Sequence, residues 1–307
     1  MQLIRGLYNL QADPRGCVVT IGNFDGVHLG HQEVLAQVAD KAAELHLPSV
    51  LMTFEPYPSE FFQQGEIPPR LTRFREKMEV LRRFSIERVL NLSFNDALCS
   101  LTAEEFIRQI LVERLAVRYL VIGDDFRFGK GRAGDFALLK AAGAEYGFEV
   151  ASMHTFELMG DRVSSTRIRS ALLNGELGFA EQLLGRPYRM SGRVAHGDKR
   201  GRTIGFPTAN IHLHRKASPV RGVYAVEMYG IEGEPLPGVA NVGIRPTVNG
   251  TRAQLEVHLF GFSGEIYGRH VQVEFRHKLR DEQRFESFDV LKAQIEKDAL
   301  EAKEFFR

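Results

Sequence analysis

The 307-residue sequence has no tryptophan and only two cysteines, Cys17 and Cys99. Two isolated cysteines exclude a disulfide framework and any cysteine-built metal site, and they fit a reducing cytoplasm. An excess of charge is equally missing: 40 Lys and Arg face 39 Asp and Glu, a formal net charge of +1. No global field gathers nucleic acid or a membrane surface, so an anionic ligand has to be caught locally. No apolar run approaches the ~18–20 residues that span a bilayer, and the opening MQLIRGLYNLQADPRG lacks the apolar core of an export signal. The expectation is a cytoplasmic protein with neither nucleic-acid nor membrane partners. What is present, 44% hydrophobic content over 307 residues, suffices for one large core or two ordinary ones.

Up to about residue 153, short apolar runs alternate with helical patterns. The runs at 17–21, 49–54, 88–92, 118–122 and 148–153 have the length of buried strands. Between the first two, Val34, Leu35, Val38, Ala42 and Leu45 recur at helical spacing before Pro48 stops the helix. Thr102 and Glu105 form a capping box ahead of a stripe of Phe106, Ile107, Ile110, Leu111 and Leu115. This alternation predicts a Rossmann-like α/β domain whose parallel sheet is covered on both faces, with a ligand crevice at the strands' carboxyl ends. Two short helices, 165–173 and 176–184, end at Gly185-Arg186-Pro187. Beyond them the period changes to two: 222–229, 253–260 and 270–276 alternate between Gly- and Pro-rich turns, which predicts a small closed antiparallel β-barrel. The chain finishes on an amphipathic helix with Phe288, Leu291, Ile295, Ala299, Ala302 and Phe306 on one stripe, expected to pack on the barrel. Two domains follow, 1–186 and 187–307.

The stretch Gly22-Asn23-Phe24-Asp25-Gly26-Val27-His28-Leu29-Gly30-His31 joins the first buried strand to its helix. A helix N-terminus offers unpaired N–H groups and the positive end of a dipole, and glycines let backbone approach an anion. His28 and His31, three residues apart, add donors on one side of the turn. Glycines alone would only shape a tight turn, and a lone histidine is more often a surface residue; the pair among Gly22, Gly26 and Gly30 favours phosphate. A second anion grip is Ser164-Ser165-Thr166-Arg167-Ile168-Arg169, where a hydroxyl caps a new helix and Arg167 can fork onto phosphate oxygens. Capping alone explains the serines but not the two arginines. Between these segments Gly129, Gly131 and Gly134 spell a literal GxGxxG, but Asp124 to Phe128 separate it from its strand, against a dinucleotide fingerprint. Thr53-Phe54-Glu55-Pro56-Tyr57-Pro58 followed by Phe61-Phe62 reads equally as core aromatics around a bent turn or as a ligand-stacking loop.

In the second half the most specific string is Gly201-Arg202-Thr203-Ile204-Gly205-Phe206-Pro207-Thr208-Ala209-Asn210. The chain has no GxxxxGK[ST], so any ATP cradle is of another type. Thr208 and Asn210 share one face of an extended segment and present oxygen ligands, which suit Mg²⁺ with part of its shell left to phosphate and water. On the strand at 253–260, Gln254, Glu256 and His258 share one face, and Leu255, Val257 and Leu259 the other. A mid-strand carboxylate is either a solvated face or part of a site.

The segment GNFDGVHLGH resembles the HxGH-type phosphate-binding turn of the nucleotidyltransferases, in the form carried by bacterial bifunctional riboflavin kinase/FAD synthetases. The string at 201–210, followed in order by Gly222-Val223-Tyr224, the segment 241–247 and Leu255-Glu256-Val257-His258, resembles the riboflavin kinase domain of that family from about residue 187 onward. The resemblance implies a two-step enzyme using ATP as co-substrate and Mg²⁺ in both steps: riboflavin becomes FMN in the barrel domain, and FMN becomes FAD with release of pyrophosphate in the α/β domain. For the second step it implies Asn23, His28 and His31 as catalytic residues. Gly22, Asp25 and Gly30 would bind ATP and its phosphates and Ser165, Thr166 and Arg167 would hold the triphosphate, with Phe62 and Phe128 on the flavin and Asp124, in the flavin-and-nucleotide loop, near the nucleotide or its metal. For the first step it implies Gly201, Gly205, Thr208 and Asn210 around ATP, with Thr208 and Asn210 on the metal. Glu256 would be the base for the ribityl 5′-hydroxyl, His258 its alternative or partner, and Arg280 and Glu282 part of a loop closing over flavin. The family usually shows His where this chain has Tyr57. Two other readings remain open: a barrel kept as a non-catalytic flavin sensor, against which Thr208, Asn210 and Glu256 speak, and a barrel for single-stranded nucleic acid, against which the near-zero charge speaks.

Overall fold

The computed structural model describes the chain apart from residues 12, 64–66, 124, 154–155, 196–205, 216, 232 and 248–249, and at 244–247 and 250–252 it gives the backbone alone. Two units emerge, Met1–Pro68 with Lys77–Ser164, and Pro69–Glu76 with Ser165–Arg307.

The first unit is built on β1 (Gln2–Arg5), β2 (Cys17–Ile21), β3 (Ser49–Glu55), β4 (Arg88–Ser93), β5 (Val117–Gly123) and β6 (Glu149–Met153). They form one sheet in the order β1-β4-β3-β2-β5-β6, with every pairing parallel. The connecting helices are α1 (Leu29–Leu45), α2 (Pro58–Phe62), α3 (Phe74–Leu81, which enters this unit at Lys77), α4 (Asp96–Cys99), α5 (Ala103–Phe106) and α6 (Phe136–Tyr146). All five β2 residues are buried, the signature of a strand covered on both faces. The capping box opens α5: the Glu105 N–H donates to Thr102 Oγ1 at 3.1 Å and the Thr102 N–H to Glu105 Oε2 at 2.8 Å. The expected stripe then continues as a π-helix, Ile107–Arg114, with Ile107, Ile110 and Leu111 buried. Along the chain, β2, β3 and β4 step one way across the sheet and β5 and β6 the other. The order therefore reverses between β2 and β5, where such sheets open a crevice at their carboxyl ends. A short hairpin, β7 (Glu157–Leu158) with β8 (Asp161–Arg162), follows the sheet.

The second unit carries α7 (Ser165–Asn174) and α8 (Leu177–Leu184), then β9 (Arg189–Ala195), β10 (Ala209–His212), β11 (Gly222–Tyr229), β12 (Leu236–Thr247), β13 (Gly250–Leu259) and β14 (His270–Arg280). These six strands close a barrel in the order β10-β13-β12-β11-β14-β9, with every pairing antiparallel and β9 returning to β10. Closure leaves no strand edge exposed. The last helix, α9 (Phe288–Phe305), lies on the barrel as expected, its Ala299 and Ala302 packed with Val223, Ala225 and Val239. Glu76, buried in this unit, accepts from the Ser191 N–H at 2.9 Å and pairs with Arg215, itself 7% exposed.

Candidate active sites

In the first unit, β2 runs into the glycine-histidine turn at the reversal point of the sheet. The Gly22 N–H still donates to the Met52 carbonyl at 3.0 Å, extending the β2–β3 ladder by one rung. The backbone then departs from ordinary geometry: Phe24, Gly26 and Val27 take φ of 50°, 84° and 44°. A β-branched valine in the left-handed region is an outlier that persists only where its surroundings impose it, and such outliers cluster at functional sites. His28 caps α1, its Nδ1 accepting the His31 N–H at 3.3 Å, and the two rings stack 3.6 Å apart at 17°. With Nδ1 an acceptor, the neutral His28 ring carries its proton on Nε2. A Cβ on Gly30 would rest 3.4 Å from the His28 ring, and one on Gly22 would press 3.1 Å from the Phe24 ring. Asp25 is buried with the Tyr57 hydroxyl 3.5 Å from Oδ1. The Asn23 Oδ1 is buried with no hydrogen-bond partner among the described residues, an acceptor left for a ligand donor.

Aromatic residues follow the carboxyl ends of the neighbouring strands. Phe62, half exposed, meets Phe61 and Phe94 edge to face at 5.4 and 5.7 Å. Phe128 differs: it is 7% exposed in the core, with Phe106 on one side and Phe126 stacked on it at 5.6 Å. Its ring supports Phe126, the more accessible of the two. Asp124, Gly201 and Gly205 lie outside the described residues. Ser165, Thr166 and Arg167 form the first turn of α7, which belongs to the second unit, and the Arg167 guanidinium sits 4.9 Å over the Phe179 ring.

In the second unit, three polar residues stand in one row across three strands: Asn210 on β10 pairs with Glu256 on β13, which pairs with Asn241 on β12. Gln254 fixes two of them, its Nε2 donating to Asn210 Oδ1 at 2.8 Å and to Glu256 Oε1 at 2.6 Å. His258 Nδ1 lies 3.0 Å from the Pro207 carbonyl. Glu256 and His258 open on a cavity of about 450 Å³ bounded also by Thr208, Phe206, Arg280, Glu282, Phe285 and residues of α9. A second cavity of about 440 Å³ is lined by Thr208, Val257, Leu259 and the 262–267 loop. Because Glu256 and Val257 alternate along β13, the two cavities lie on opposite faces of the strand, and Thr208 borders both. Arg280 is held by Asp298 of α9 through Nε at 2.9 Å and Nη2 at 2.7 Å. Glu282 accepts from Arg221 Nε at 2.7 Å and lies against Gly243, where any Cβ would collide with its carboxylate. The Tyr224 hydroxyl, pushed up to about 12 by burial, donates to the Arg221 carbonyl at 2.8 Å.

Comparison with known proteins matches residues 10–167 to the FAD synthetase family model and residues 184–306 to the riboflavin kinase family model. The bifunctional riboflavin kinase/FMN adenylyltransferase of Escherichia coli K12 is 55% identical over 307 residues, covering 100% of this chain and 98% of that protein. The chain belongs to the bifunctional riboflavin kinase/FAD synthetase family. The Haemophilus influenzae member is 53% identical over 306 residues, 100% of this chain and 99% of its own length. A solved structure described as a macrolide-efflux protein from Streptococcus pneumoniae is 34% identical, with a TM-score of 0.82 over 97% of both chains. Among the described residues no helix is long and apolar enough to cross a membrane.

Three residues of these sites escape the sequence reading. Gln254 shares the Glu256 face by alternation, but its bond to Asn210 spans 44 residues. Asp298 looks like one more charge on a helix until Arg280 is seen on it. Lys77 sits in a helix with no motif, yet it is wholly buried beneath the Asn23 turn.

Proposed function

We propose that the chain carries out both reactions its relatives are named for, phosphorylating riboflavin to FMN and then adenylylating FMN to FAD, each with ATP. The kinase step is assigned to 187–307 and the adenylyl transfer to 1–186. The observation that carries the kinase reading is Thr208, shared by two cavities on opposite faces of β13. The aromatic and apolar cavity under α9 suits the flavin, and the one bordered by the 262–267 loop suits ATP. Glu256 accepts the proton of the ribityl 5′-hydroxyl, whose oxygen attacks the γ-phosphorus as the bond to ADP breaks. Gln254 keeps the carboxylate in place. Mg²⁺ fits this row: because Asn210 accepts the Gln254 amide through Oδ1, a carboxamide oxygen stands beside Glu256, and Thr208 adds a hydroxyl. When bound, the ion neutralises charge on the phosphates.

In the adenylyl transfer a phosphate oxygen of FMN attacks the α-phosphorus of ATP and pyrophosphate leaves. An attacking phosphate is already anionic, so alignment and donors suffice. His28 and His31 supply side-chain donors. Gly22, Asn23 and Gly30 shape the cradle, with Asp25 held beneath it by Tyr57. Ser165, Thr166 and Arg167 are assigned to the triphosphate, Phe62 to the flavin, and the stacking expected of Phe128 passes to Phe126. Two free cysteines are consistent with work in the cytoplasm. The test is a chromatographic time course with riboflavin, ATP and Mg²⁺: FMN appears first, then FAD with pyrophosphate. Absence of either product overturns the corresponding half.

A further inference from the structure

Beneath the histidine turn lies a lysine that the two reactions leave unused. Lys77 is 0% exposed, and its Nζ donates to the Asn23 carbonyl at 2.8 Å and to Thr53 Oγ1 at 3.0 Å, 4.9 Å over the Tyr57 ring. A buried ammonium is expensive unless its protons are taken up. Here one of them acts on the turn itself. In a trans peptide the C=O and N–H point opposite ways. Drawing the Asn23 carbonyl inward therefore turns the Phe24 N–H outward, away from the sheet. Phe24, with φ at 50°, occupies the left-handed region in which successive N–H groups form an anion-binding concavity. The N–H groups of Asn23 and Phe24 have no protein acceptor among the described residues.

We propose that Lys77 is a positioning residue for adenylyl transfer: by holding the Asn23 carbonyl it aims the Phe24 amide at a phosphate of the bound nucleotide. This rests on the reading of the turn as the nucleotide's phosphate site, and the experiment separates the two.

The full chain is compared with Lys77→Met, Lys77→Gln and the double variant His28→Ala/His31→Ala, measuring kcat and KM for ATP in FMN-to-FAD conversion. Riboflavin phosphorylation and the melting temperature serve as controls for folding. Lys77→Met keeps the bulk of the side chain, so a role in packing alone leaves FAD formation unchanged. The proposal expects a fall of about 30-fold in kcat/KM, the usual scale for a lost hydrogen bond to a charged group, with kinase activity intact. Lys77→Gln, whose amide is one atom short of the ammonium, recovers part of this, to within about fivefold of the parent, because one neutral hydrogen bond is regained. FAD formation at the parental kcat/KM in Lys77→Met, alongside its loss in the double histidine variant, overturns the Lys77 role while sparing the site. Undiminished FAD formation in the double histidine variant overturns the phosphate site itself. Should Lys77→Met fail to fold, Lys77→Gln decides alone: parental kcat/KM there rejects the proposal.

Discussion

Arg280 and Asp298 meet as a two-pronged ion pair between β14 and α9, with Nε 2.9 Å from Oδ1 and Nη2 2.7 Å from Oδ2. Asp298 is 4% exposed and also accepts from Gln294 Nε2 at 2.8 Å, so the carboxylate is held by a second donor besides the arginine. Arg280 in turn borders the cavity assigned to flavin. Asp298→Asn keeps the shape and removes the charge, and it is expected to raise the riboflavin KM of the kinase step about tenfold, the scale of one charged hydrogen bond. Steady-state assays with riboflavin varied would show this, with FMN-to-FAD conversion unchanged.

Glu256→Gln removes the carboxylate proposed as the base but not the row it stands in, since Gln254 can still hold its neighbour. FMN formation is expected to fall by about 100-fold or more, as for loss of a general base, while FMN supplied from outside still becomes FAD. Loss of both products would refute the division of labour.

His28→Ala combined with His31→Ala should do the reverse. The double change removes the cap of α1 together with both ring donors, so FAD formation stops while riboflavin is still phosphorylated. Separate product quantification by chromatography reads both halves in one experiment.

Glu76 makes a fragment beginning at residue 187 incomplete. Its carboxylate accepts from Ser191 and pairs with the buried Arg215, so removing it deprives that arginine of a charged partner. Losing one member of a buried ion pair costs about 3–5 kcal/mol, and the isolated 187–307 segment is expected to unfold at lower urea concentration than the barrel unit of the full chain. Restoring the 69–76 segment as a peptide should recover part of the difference.

The two cysteines should be distinguishable by thiol labelling. Burial pushes the Cys17 thiol up to about 12, and its Sγ lies 3.1 Å from the Leu115 carbonyl, whereas Cys99 is partly exposed. At pH 8 a thiolate-directed reagent should modify Cys99 alone, since the thiolate is the reactive form. The sign for stability follows: a thiol raised in the folded state from its ordinary 9.0 to about 12 stays protonated while the unfolded one ionises. Its contribution to stability is complete below about pH 9 and fades as pH rises toward 12.

Much of the fold was readable because it rests on periodicity. β2 through β5 appear as apolar runs since parallel strands inside a sheet are buried on both faces, while β6, partly buried at the sheet edge, still shows Val150 and Ala151. β1 does not, being four residues with only Ile4 buried, and it joins the sheet by pairing with β4, 86 positions further along. The capping box at Thr102 was legible, but the π winding that follows was not, because the same stripe fits either helix. At the sites, the glycines and histidines announce themselves within ten residues. Lys77 reaches Asn23 over 54 residues, and Asp298 reaches Arg280 over 18, separations at which spacing carries no signal.

The row of Asn210, Glu256 and Asn241 has a consequence for tolerance to change. If β13 slid by one residue, Leu255 would face Asn210 and the carboxylate would swing into the oily interior. Since β13 is laced to a neighbour on each flank, such a slide requires both seams to come undone together. Insertions or deletions inside this strand should therefore silence phosphorylation more thoroughly than a mild exchange of any one of its outward side chains.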